Sequence, residues 1–144
     1  MPSSTLSNGT SQSFLDYLLK GVAMSALPSS LWLCLFTTTP GPSGTGGVEV
    51  STSGTGYARV ELSRVSGTWT GPTGTNQEYN NTTELVFPVP TGNRGTIVSL
   101  GIYDAASNGN LIFISTIATS KSISLGDGSP RILASQLKII RAIC

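Results

Sequence analysis

The sequence predicts an antiparallel β-sandwich, jelly-roll-like, with one N-terminal amphipathic helix. Three observations lead there. Roughly eight short segments read as strands, closely spaced and separated by Gly, Pro, Asn and Ser. One Asn-Gly step, Asn108-Gly109, marks a hairpin, because both residues accept positive φ. A single segment near the start carries helical rather than alternating periodicity. With 144 residues, the chain fits one domain able to bury about 70% of its unfolded surface. The expected division is an N-terminal arm at 1–12 and one domain at 13–144.

The helix is read from Ser13, whose hydroxyl is placed to cap an amide, with Asp16 favouring the positive helix end. Apolar residues follow at Phe14, Leu15, Leu18, Leu19, Val22, Ala23, Ala26 and Leu27, a stripe suited to lying across a sheet or docking into a partner. Pro28 stops it at Leu27. Leu31-Trp32-Leu33-Cys34-Leu35-Phe36 is apolar on both faces and reads as a central, doubly covered strand. Residues 37–56, with Pro40, Pro42 and many Gly, Ser and Thr, read as a long exposed contact loop. Alternation from 57 to 64 points Ala58, Val60 and Leu62 inward and Tyr57, Arg59 and Glu61 outward.

Thr68-Trp69-Thr70 forms a short strand, a polar stretch at 71–83 follows, and 84–87 is a strand ended by Pro88 and Pro90. Residues 96–103 and 111–117 pair through the Asn-Gly turn. Residues 121–125, a turn at Gly126-Asp127-Gly128, and 131–143 complete the set.

Charged residues form 10% of the chain and the formal net charge is +1, so no electrostatic footprint for nucleic acid or an anionic membrane is present. The longest apolar run is six residues, against about 20 for a membrane helix. The first eight residues lack the pattern of a secretory signal. There is no histidine, which removes the commonest general base and metal ligand together. No catalytic residue, cofactor or metal ligand is assigned, and a non-enzymatic protein is expected. Glu78 reads as a loop acid and Glu84 as an outward strand residue, without the facing pair a glycosidase needs. Asp104 and Asp127 sit beside turns, where a carboxylate caps amides more readily than it ligates calcium. Cys34 reads as a buried free thiol, with a bridge to Cys144 as the alternative. The exposed aromatics, Tyr57, Trp69, Tyr79 and Tyr103, together with Arg59, are the candidate interface residues; a sugar-stacking platform is the alternative use of the aromatics.

Several segments in order resemble a family of small tailed-phage virion proteins: Phe14-Leu15-Asp16-Tyr17-Leu18-Leu19, the strand at 31–37, Gly56-Tyr57-Ala58-Arg59, Leu100-Gly101-Ile102-Tyr103-Asp104 and Thr119-Ser120-Lys121. Members carry the labels tail fibre or minor tail protein, or capsid cement or decoration protein. The likeness runs from Phe14 to about Lys121; residues 139–144 have no clear counterpart in it. It implies a virion location, synthesis in the bacterial cytoplasm, and binding to other virion proteins. The chain has no coiled coil, collagen-like or β-helical shaft. The expected role is therefore a capsid cement subunit on the major capsid protein, self-associating as a homotrimer. A small tail-fibre or baseplate component is the alternative, and a carbohydrate-binding module the alternative from another class.

Overall fold

The computed structural model describes residues 4–75 and 77–140. The fold is mainly β with antiparallel sheets and one helix near the N-terminus. In chain order the elements are β1 (Ser4–Leu6), α1 (Asn8–Lys20), β2 (Ser30–Thr38), β3 (Val48–Glu49), β4 (Val60–Ser63) and β5 (Trp69–Thr73), then β6 (Glu78–Asn81), β7 (Leu85–Val86), β8 (Gly95–Tyr103), β9 (Leu111–Ile123), β10 (Arg131–Ile132) and β11 (Lys138–Ile140).

The large sheet has the order β1-β9-β8-β2-β3, with β4 also pairing β2; a three-stranded sheet β11-β6-β5 and the pair β10-β7 complete the arrangement. As its sequence requires, β2 is central. It pairs with β8 along one edge, Leu33 opposite Ile102 and Leu35 opposite Leu100, and with β4 and β3 along the other. Leu33, Leu35, Leu62, Ile97 and Ile102 of the large sheet meet Leu85, Phe87 and Leu137 in one core. The opposite face of β2 is buried too. Cys34 and Phe36 are at most 2% exposed, and Gly101 leaves the room they need: a Cβ there would lie 2.6 Å from Phe36 Cε2 and 3.0 Å from Cys34 Sγ. Cys34 is a free thiol donating to Gly101 O at 3.3 Å. Burial raises its pKa far above the ordinary thiol range. Cys144 and the rest of 141–144 lie outside the described residues.

The Asn-Gly hairpin forms between β8 and β9, with φ of 53° at Asn108 and 76° at Gly109. Asp104 closes it, accepting from Asn110 N at 2.6 Å and Asn110 Nδ2 at 2.9 Å. Asp127 likewise accepts from Ser124 N at 2.7 Å. Both acids thus serve their own turns.

Several local expectations are corrected. The helix occupies Asn8–Lys20, not 13–27: Ser7 supplies the cap to Thr10 N, and Gly21, at φ 66°, ends it with its N–H on Asp16 O. Its apolar stripe does not lie on the sheet, and none of its residues is buried. Residues 121–123 continue β9 through a register irregularity. The loop at 37–56 is only partly exposed. β3 pairs with β2, while Pro40, Val50 and Thr55 are buried.

The polar stretch at 71–83 holds most of β5 and all of β6. There the buried Asn81 carboxamide donates to Thr83 O (2.7 Å) and Leu133 O (3.0 Å) and accepts from Leu137 N (2.9 Å). That side chain does for the small sheet what apolar alternation does elsewhere. Glu78, expected in a loop, is a β6 residue paired with Lys138 at 2.9 Å.

Candidate interaction surface

The five candidate interface residues fall into two groups. Arg59, Tyr57 and Tyr103 belong to a buried knot. Tyr57 points inward, not outward as strand alternation predicts, because the strand starts only at Val60. It is 5% exposed, stacks on Phe87 at 6.3 Å and donates its hydroxyl to Glu49 Oε1 at 2.9 Å while accepting from Leu35 N at 3.0 Å. Arg94, itself buried, lies with its guanidinium 5.8 Å from the Tyr57 ring centroid and donates to Thr55 O and Pro88 O. Burial raises the Tyr57 pKa beyond the ordinary phenol range.

Arg59, also expected outside, has a side chain only 7% exposed. Its fork grips Glu49, Nε to Oε1 at 2.9 Å and Nη2 to Oε2 at 2.8 Å. Nη1 donates to Ala105 O (2.7 Å) and Asn108 O (2.9 Å), and the guanidinium sits 3.9 Å from the Tyr103 ring centroid. Burial works against its charge, but the Glu49 carboxylate offsets this, and the pKa is raised. This knot ties β3, the lead into β4 and the β8–β9 hairpin together.

Trp69 and Tyr79 come together elsewhere, in an apolar groove of about 900 Å³ between the large sheet and the β5–β6–β11 sheet. Leu31, Ile102 and Phe113 form one wall, Trp69, Tyr79 and Ile139 the other. Ile102 and Tyr103 are successive residues of β8, so the groove and the Arg59–Tyr103 contact lie on opposite faces of the large sheet. Leu6, Val65 and Tyr79 at the groove are 38%, 58% and 41% exposed. Ser11 of α1 also lines it, but no apolar residue of α1 does. The uncovered face of α1 is a second apolar surface: Phe14, Leu15, Leu18 and Leu19 are all about half exposed or more. Sequence reasoning missed Leu6 and Val65 as groove residues, since isolated apolar residues in polar segments carry no periodic signal.

For chemistry the described residues offer little. Each of the seven carboxylates has a cationic or hydrogen-bonding partner, and no group of three or more Cys, Asp or Glu is placed to hold a metal among the described residues. No helix among them is long and apolar enough to cross a membrane. What the geometry provides is an apolar groove and an exposed apolar helix face.

No curated protein matches the chain. The family described as Podophage GP4 fiber I protein gp80 matches residues 5–140, which takes in all of the fold but the first residue of β1 and extends well past Lys121. The chain belongs to that family and is a phage virion structural protein.

Proposed function

We propose that this virion protein is a small, non-enzymatic component of the tail fibre, joined to neighbouring virion proteins through the apolar groove and the uncovered α1 face. The observation that carries the reading is the family match over residues 5–140, whose description is that of a fibre protein. The groove supports a docking role. Its walls are mainly aromatic and aliphatic, and such residues supply most of the binding energy at protein interfaces.

A capsid cement role, with the major capsid protein as partner, rests on the compact domain without a shaft. The same surface would serve it, but the fibre description favours the tail. A fibre need not place its shaft in every subunit, and a globular piece of this size suits a tip or a joint. Mass spectrometry of purified virions separated into heads and tails tests the assignment. The chain is expected in the tail fraction; recovery with the heads alone would overturn it.

A further inference from the structure

We infer that the protein self-assembles by seating α1 of one copy in the apolar groove of a second copy. Among the described residues, the convex and the concave half of such a contact are both present on the same chain, and neither fills the other. From Phe14 to Leu27 eight large apolar residues are 38–79% exposed. Phe14, Leu15, Leu18 and Leu19 follow the spacing that puts them on one face of α1; Val22, Met24 and Leu27 belong to the segment that follows it.

Together the eight expose an apolar surface on the order of several hundred Å². A soluble monomer seldom leaves a patch that size open. The groove is walled by residues of the same chemistry, Trp69, Tyr79 and Phe113 among them. α1 starts at its own groove's rim, yet none of its apolar side chains enters, so the groove is not filled from within by that helix.

Charge does not oppose the docking. The helix's only charged residues, Asp16 and Lys20, neutralise each other at 2.7 Å. Arg64, at the groove, is turned to the carbonyls of Leu27 and Pro28, which fixes the end of the segment that follows the helix. A foreign partner taking the helix would leave the groove open. A second copy covers both, and each copy offers both, so helix-to-groove contacts can repeat until a ring closes.

The contact is heterologous, and this makes it testable by complementation. Leu18→Asp spoils the helix face and Val65→Asp the groove rim; both residues are 58% exposed, so the fold should survive, as circular dichroism would report. Light scattering on size-exclusion peaks is expected to give an oligomer for the wild-type chain and monomers for each variant alone. An equimolar mixture is expected to give a heterodimer, because one variant keeps its groove and the other its helix.

A monomeric wild type, variants that stay oligomeric, or a mixture that stays monomeric would each overturn the inference. Should either variant lose its native spectrum, Leu19→Gln and Tyr79→Gln replace the pair. The inference does not depend on the fibre assignment: a chain found in heads could still assemble this way, and a monomer could still sit in a fibre.

Discussion

Replacing Arg59 by Ala removes the centre of the buried knot. The side chain makes four hydrogen bonds, two to Glu49 and two to the hairpin carbonyls of Ala105 and Asn108, besides its contact with the Tyr103 ring. Its loss leaves the Glu49 carboxylate with the Tyr57 hydroxyl alone among its described partners. Removing one partner of a buried ion pair costs about 3–5 kcal/mol, since the other charge is stranded. Glu49 retains 26% side-chain exposure, so water recovers part of its solvation, and the low end, about 3 kcal/mol, is expected. For a domain of this size that is a melting temperature lower by about 10 °C.

Arg59→Lys keeps the charge but not the fork, and should lose roughly half as much, about 1.5 kcal/mol. Urea unfolding followed by tryptophan fluorescence measures both, and repeating Arg59→Ala in a Glu49→Gln background isolates the pair. The knot reasoning fails if Arg59→Ala stays within about 0.5 kcal/mol of wild type, the range of ordinary surface substitutions, or if Lys replaces Arg without loss.

Two further outcomes follow from the opposite face of β2. Gly101→Ala puts a Cβ 2.6 Å from Phe36 Cε2 and 3.1 Å from Leu111 Cδ1; overpacking of this kind should cost about 1–3 kcal/mol, read from the same urea midpoints. Cys34, fully buried and with its thiol pKa raised, should resist an aromatic disulfide reagent in the native Cys144→Ser protein. It should react at once in denaturant, whereas rapid native labelling would contradict its burial.

Where hydrophobic pattern decides structure, the sequence was readable. The doubly apolar run at 31–36 is the central strand, and Asn108-Gly109 is the hairpin, because each signal is local and strong. β6 was hidden because Asn80 and Asn81 order it by hydrogen bonding from within a polar stretch, and no alternation announces that. Alternation puts Tyr57 and Arg59 outward only if it runs back past Val60, where the strand begins. Their inward position depends on Glu49, ten residues from Arg59 in the chain. The α1 stripe was visible, but periodicity cannot tell a core face from one awaiting a partner.

Of the interface candidates, Trp69 and Tyr79 do meet in one groove, which only the approach of two sheets creates. The family likeness was legible in packing segments, and it reaches beyond them to residue 140.

A reconstruction of the intact particle tests most directly whether this chain acts by docking in the fibre. Density for the fold is predicted in the tail fibre, with the Trp69 and Tyr79 groove covered by a neighbouring chain. Density on the capsid lattice, or a groove open to solvent in the assembled particle, would contradict that claim.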